Sequence, residues 1–300
     1  MIKAAFTSAP FAPSLRPLRT AVDLFLLCLL FIGSPPASFA GNDPQRVVSL
    51  NLCTDQWLLL LGRPGQVAGV SHLAVDPEHS YMAAEARGHP VVYPKIESIL
   101  ALRPDLVVAA DYTAPPLLRL LRRLGIRVEL WPMPEDLSAI RQALRHMGAL
   151  LGRSEQTEAL LTEMGRRLAA IPVPSGPRPR ALFIQPNGYS AGRDTLQDLA
   201  LRLAGWENAA NETGLIGYGA LSLEALVGLR PDRFVISRFH DETDSLAQRQ
   251  LRHPALTAVS NGQPFLEIPY SLWICGGPML AEAVERLAAA RPYDGKGVRK

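Results

Sequence analysis

The sequence predicts an α/β protein: two Rossmann-like lobes with mainly parallel sheets, joined by one long helical connector. Three observations lead there. Strand-like and helix-like segments alternate in both halves of the chain, the pattern of parallel sheets covered by helices. One block occurs twice: Glu97-Ser-Ile-Leu-Ala-Leu102-Arg103-Pro104-Asp105-Leu-Val-Val108 returns as Glu224-Ala-Leu-Val-Gly-Leu229-Arg230-Pro231-Asp232-Arg-Phe-Val235, with Glu, Leu, Arg, Pro, Asp and Val at matching offsets. Between the halves lies a stretch with helical period and no strand.

The repeated block has a physical grammar. A short helix opens near the Glu, whose carboxylate suits the positive end of the helix dipole. Pro ends it by removing an N–H and pushing the preceding residue out of the α region. The β-branched run that follows reads as a buried strand. Two copies in matching places argue for two similar lobes, each presenting one exposed Glu, Glu97 and Glu224.

Residues 1–40 read as a cleaved signal peptide. Lys3, Arg16 and Arg19 form a basic n-region, Ala21 to Gly33 an apolar core, and Ser38-Phe39-Ala40 a cleavage site. The apolar run is shorter than the ~20 residues of a membrane span, and Asp23 interrupts it. The formal net charge of +3 is partly this leader; no basic patch elsewhere suggests nucleic acid.

From Arg46 the order is strand (46–50), helix (54–61), strand (66–70), helix (96–103), strand (106–110), helix (115–124) and strand (126–131). This is an N-terminal α/β lobe within residues 41–135. Leu137, Ile140, Leu144, Met147 and Leu151, then Leu160, Leu161, Met164 and Leu168, form an apolar helical face broken at Gly152-Arg153. Ser154 followed by Glu155 reads as a fresh N-cap. This connector and the Pro-rich boundary after it occupy 136–179. A C-terminal α/β lobe spans 180–292, with strands at 181–185, 234–237 and 265–268 and helices near 195–204 and 278–290. Residues 293–300 are expected to be a frayed tail.

Ligands of parallel α/β sheets bind beyond the carboxyl ends of the strands. The residues there are Asn51-Leu52-Cys53, Ser71-His72, Asp111-Tyr112, Asn187-Gly188-Tyr189 and Arg238, with Tyr218 in a Gly-rich loop and Tyr270 to Pro278 near the C-terminus. Aromatic and polar groups dominate, as suits a large, partly apolar ligand held between lobes. The ligand-binding candidates are therefore Cys53, His72, Tyr112, Tyr189, Tyr218, Arg238, Trp273 and Cys275. Cys53 and Cys275 are expected to face the cleft from opposite lobes as free thiols, soft ligands to a bound metal centre, or a disulfide. No Gly-x-Ser-x-Gly, Walker, Gly-x-Gly-x-x-Gly or His-Glu-x-x-His motif is present, so no catalytic residue is assigned and the chain is expected not to be an enzyme. The 6 histidines show no short metal-ligand spacing, and no resident metal or cofactor is expected.

The chain resembles the substrate-binding proteins of ABC importers that carry cobalamin, ferric siderophores and haem. The resemblance runs from about Arg46 to Arg291. It rests on Arg46-Val-Val-Ser-Leu50, Gly69-Val-Ser71, both Glu…Leu-Arg-Pro-Asp blocks, the helical connector, and Leu199-Ala-Leu-Arg-Leu-Ala-Gly205-Trp-Glu-Asn208. It implies two lobes joined by a long helix with the ligand in the cleft, and one Glu per lobe, Glu97 and Glu224, docking on the permease. In cleft pattern the chain is most similar to the cobalamin-binding members, whose aromatic contacts correspond to Tyr189, Tyr218 and the segment around Trp273. The Asp and Arg flanking that Trp in those members are unmatched, with Leu272 and Gly276 standing nearby. The implied function is periplasmic capture of a corrinoid metal chelate and its delivery to a permease and its ATPase. A ferric siderophore or haem is the alternative cargo; an exported α/β enzyme or a sensing subunit is a remote one. A monomer is expected.

Overall fold

The structure, a computed structural model, describes residues 43–172, 176–237, 251, 253–260 and 262–292. The leader at 1–40, Arg238 and the tail at 293–300 lie outside the described residues. Asp43 opens the unit that carries both sheets.

The first sheet holds β1 (Val47–Ser49), β2 (Val67–Ser71), β3 (Val91–Val92), β4 (Leu106–Ala110) and β5 (Arg127–Trp131) in the order β3-β2-β1-β4-β5, parallel throughout. The strand order reverses between β1 and β4, which opens a crevice at their carboxyl ends. Its helices are α1 (Leu52–Leu61), α2 (Ala83–Ala86), α3 (Ile96–Ala101) and α4 (Pro115–Arg123). The apolar sides of α3 and α4 cover one sheet face with Ile99 and Leu121. On the other face, α1 is buried on nearly all sides.

The helical stretch between the sheets is α5 (Leu137–Leu150) and α6 (Ser154–Ala169). It forms a hairpin rather than one straight rod, because Gly152 turns the chain at φ +68°. The two helices run antiparallel: Arg145 pairs with Glu158 at 2.6 Å, and a Cβ on Gly148 would stand 2.0 Å from Thr157 Oγ1. Ser154 is not the N-cap expected from sequence. It is the first helical residue, and Arg153 holds the cap position without a side-chain hydrogen bond.

The second sheet holds β6 (Arg180–Ile184), β7 (Tyr189–Ala191), β8 (Glu207–Asn208), β9 (Tyr218–Ala220), β10 (Arg233–Ile236) and β11 (Leu266–Glu267). Its order is β11-β10-β6-β7-β9, with β8 beside β6. β6, β8, β10 and β11 are parallel; β7 and β9 are antiparallel additions. The helices are α7 (Leu196–Leu203), α8 (Leu223–Gly228), α9 (Pro254–Val259) and α10 (Met279–Ala289). One apolar core joins the lobes, running from Trp57 and Leu58 through Leu144, Met147 and Leu161 to Phe183, Trp206, Trp273 and Leu287.

The repeated block builds the same turn twice. Arg103 and Arg230, each before its Pro, take left-handed φ values of 47° and 42°. That conformation is costly for a residue with a side chain, and the same partners hold it in both lobes. Asp105 accepts from the Gln45 and Arg46 amides at 2.7 and 3.1 Å, and Asp232 accepts from the Arg180 amide at 2.8 Å. Arg46 then donates to Leu102 O at 2.7 Å, and Arg180 to Arg230 O at 3.3 Å. The motif Asp therefore fastens the helix–strand turn to the start of the lobe's first strand.

Candidate functional site

The carboxyl ends of β3, β2, β1 and β4 present, in that order, Tyr93, His72, Asn51 and Tyr112. At strand spacing this row is about 14 Å long. At the switch point, Asn51 Nδ2 donates to the Tyr112 hydroxyl at 2.7 Å, while Asn51 Oδ1 accepts from the Cys53 amide at 2.9 Å and caps α1. One side chain thus starts a helix and holds an exposed tyrosine upright. His72 is exposed and stacks on Tyr93, with ring centroids 5.3 Å apart and planes at 15°. Tyr93 was missed in the sequence reading because it follows a strand of only two residues.

In the second lobe, Tyr189 and Tyr218 occupy β7 and β9. Tyr218 is therefore on a strand, not in the loop expected from its glycines. The register Tyr189↔Ala220, Ala191↔Tyr218 makes the two tyrosines diagonal neighbours on one sheet face. Their rings lie 6.2 Å apart and parallel to within 1°. The hairpin depends on Gly192, whose added Cβ would stand 2.1 Å from the Leu215 carbonyl oxygen. Tyr218 donates at 2.7 Å to Oε1 of Gln197, a buried residue that sequence reasoning did not single out.

Tyr270, at the start of the turn Tyr270–Leu272, completes the arrangement. Its ring packs edge-on against His79 of the first lobe, with centroids 6.0 Å apart, and its phenol pKa is raised by burial first and then by the Tyr189 and Tyr112 phenols. Tyr218 is pushed up to about 12, by burial first and then by Tyr270. Both phenols therefore remain neutral across the physiological range. Among the described residues, no three His, Cys, Asp or Glu side chains form a metal-holding group.

Three of the ligand-binding candidates are buried, and the disulfide alternative for the two cysteines is the one realised. Trp273 is wholly buried: its indole packs edge-on against Phe183 at 5.1 Å and donates to Ser237 Oγ at 3.0 Å. It braces the floor beneath Tyr270. Cys53 and Cys275 form a disulfide with Cα atoms 5.1 Å apart, and both are buried. Neither sulfur faces the cleft, because α1 and the Cys275 segment meet in the common core. Trp57, one turn after Cys53, reinforces the joint by donating to Gly276 O at 2.6 Å.

Glu97 and Glu224 lie exposed in the first turns of α3 and α8. Each helix runs back toward the amino end of the strand that follows it, so its first turn lies toward the carboxyl edge. In the second lobe the Leu221 amide, just before α8, donates to Gly188 O at 2.9 Å, beyond the carboxyl end of β6. Both carboxylates therefore stand on the edge that carries the tyrosines. The amide at the start of α8 and the Ser222 hydroxyl hold Glu224 below the usual carboxylate range.

Comparison with known proteins gives this arrangement a family. The family model described as periplasmic binding protein matches residues 47–266. A cobalamin-binding protein of Halobacterium salinarum is 29% identical over 259 residues, covering 82% of this chain and 70% of that protein. The crystal structure of a periplasmic haem-binding protein from Pseudomonas aeruginosa superposes with a TM-score of 0.69 at 30% identity, over 83% of this chain and 92% of that one. The periplasmic haem-binding protein BhuT, in complex with two haems, superposes with a TM-score of 0.66 at 26% identity, over 82% and 98% of the two chains. Among the described residues no helix is long and apolar enough to cross a membrane. The chain belongs to the periplasmic binding protein family, as a two-lobed, extracytoplasmic substrate-binding protein of an ABC importer and not an enzyme.

Proposed function

We propose that this protein captures a corrinoid in the periplasm, after export by its leader, and hands it to an ABC permease. The observation that carries this reading is that the carboxyl edges of both lobes carry hydrogen-bonding aromatics. Tyr112, Tyr189, Tyr218 and Tyr270 offer flat apolar faces with a hydroxyl at the rim, and Asn51 and Gln197 hold the Tyr112 and Tyr218 hydroxyls in place. A corrin ring has a broad apolar face and a periphery of neutral amide side chains, which such a surface pairs without burying a charge. The resemblance of the chain to a cobalamin-binding protein points the same way. His72 on its Tyr93 platform extends the wall along the first lobe.

Haem is the second reading, favoured by the likeness to two haem-binding proteins. Its two propionates would ask for cationic partners at the rim, and Arg238, after β10, is the candidate for that role. Calorimetric titration of the periplasmically recovered protein with cobalamin and with haem decides between them. On the corrinoid reading cobalamin binds, Tyr189→Ala and Tyr218→Ala each weaken it about tenfold or more, and Arg238→Ala changes little. Haem binding that Arg238→Ala abolishes, with no cobalamin binding, would replace the cargo.

Docking on the permease is assigned to Glu97 and Glu224. Equivalent exposed carboxylates beside the mouth of the cleft suit a pseudo-symmetric partner that must also receive the ligand.

A further inference from the structure

The disulfide joins two pieces of backbone that each carry one wall of the cleft. Cys53 lies in the first turn of α1, and its amide is held by the same Asn51 side chain that holds the Tyr112 hydroxyl. Cys275 closes the compact segment that begins with Tyr270. The Trp273 and Ile274 amides donate back to Tyr270 O at 3.2 and 3.0 Å, and Trp273 pins the segment to Ser237. The path from Tyr112 to Tyr270 therefore runs through Asn51, Cys53, the S–S bond and Cys275. Beside it, Gly276 is clamped so tightly that an added Cβ would stand 2.6 Å from Pro134 and 2.5 Å from Ile140.

We propose that Cys53 and Cys275 are positioning residues, whose bond sets the Tyr270 segment against the first lobe, where Tyr270 meets His79 edge-on, before any ligand arrives. The inference rests on the cleft reading given above but not on the identity of the cargo. Without the bond, the segment and α1 are held by the Trp57–Gly276 hydrogen bond and by packing, and the cleft populates conformations with its walls out of register. Apparent affinity then falls by the fraction of molecules in the competent arrangement.

The test compares the wild type with Cys53→Ala/Cys275→Ala and with Trp57→Phe, which removes the neighbouring hydrogen bond but keeps the disulfide. Amide hydrogen exchange without ligand comes first. The cysteine variant should lose protection at least tenfold in peptides covering 50–56, 111–114 and 268–277, with β4 and β6 unchanged. Cobalamin titration follows, at a temperature where all three proteins are folded by circular dichroism. The cysteine variant should bind about tenfold or more weakly, with Trp57→Phe near wild type even where its melting temperature falls. Unchanged protection in those three peptides, or equal weakening in Trp57→Phe, overturns the proposal. Failure of the wild type to bind cobalamin overturns the corrinoid assignment alone, since the exchange measurement needs no ligand.

Discussion

Replacing Asp55 with Asn should stabilise the protein at neutral pH and leave it unchanged in acid. Asp55 lies in the first turn of α1 and is fully buried. Its carboxylate accepts from the Ser71 amide at 3.0 Å, and its second oxygen lies 2.5 Å from the Ser71 hydroxyl. Burial raises its pKa from 3.8 to about 7, outweighing the hydrogen bonds from Ser49 and Ser71 that favour the charged form. Because the folded-state pKa is the higher one, the stabilisation from Asp55 is fully present below pH 3.8. It is lost progressively as the pH rises toward 7. At about 1.4 kcal/mol per pH unit the loss over that window is on the order of 4 kcal/mol. Asn can keep both contacts, accepting from the Ser71 amide and donating to its hydroxyl, while carrying no charge to desolvate. Urea unfolding of both proteins between pH 4 and 8 gives the comparison, and the titration of every other acid cancels in the difference. The gap should be near zero at pH 4 and grow to a few kcal/mol by pH 7.5. A gap that stays flat across this range would refute the argument, because Asp55 would then titrate alike in the folded and unfolded chains.

Other expectations follow from the repeated turn and the cleft. Asp105→Ala and Asp232→Ala should each cost about 1–2 kcal/mol by stripping a carboxylate from strand-start amides. Thermal melting should show a drop of several degrees, larger for Asp105, which serves two amides. Gly192→Ala should cost about 1–3 kcal/mol, because its Cβ meets a backbone carbonyl that cannot move aside. It should also weaken ligand binding by displacing Tyr189 and Tyr218; wild-type affinity would show that this hairpin does not shape the cleft. Replacing Glu97 and Glu224 together with Ala should leave calorimetric affinity intact and abolish uptake in cells dependent on the transporter. Intact uptake would remove the docking assignment.

The parts of this fold that were legible in the sequence are those with a local cause. Pro104 and Pro231 end their helices wherever they are placed, and the runs at 106–110 and 234–237 read as buried strands without knowledge of their neighbours. What was not legible depends on who the neighbours are. Asp55 reads as an acid in a first helical turn, a position that normally favours exposure, but α1 is sandwiched between the first sheet and the helical hairpin. Tyr270 and Trp273 stand three residues apart in one aromatic segment. Only the distant Ser237 and Phe183 decide that Trp273 turns inward, and only the distant His79 shows where the Tyr270 ring packs. The strands β7 and β9 are three residues each, β9 with a glycine at its centre, too short to show a period of two, so Tyr218 read as a loop residue. The pairing of Cys53 with Cys275 across 222 residues had no local signal at all.

The two lobes repeat their turns but not their carboxyl edges, and the difference has a physical logic. The turn around Arg103 and its copy around Arg230 are held by the same Asp-to-strand contact, so Glu97 and Glu224 are delivered to equivalent places. Beyond the strands the equivalence ends. The first lobe keeps a fully parallel sheet and presents Tyr93, His72, Asn51 and Tyr112 from separate loops. The second inserts the antiparallel pair β7 and β9 and presents Tyr189 and Tyr218 from a rigid strand face. On the docking assignment proposed above, a pseudo-symmetric partner constrains only the outer carboxylates, so the inner walls are free to diverge toward an asymmetric ligand. Such divergence carries a risk, because walls built on different supports drift relative to each other unless something crosses between them. In this chain the common core and the Cys53–Cys275 bond are that crossing. Both sulfurs are buried, as that role requires.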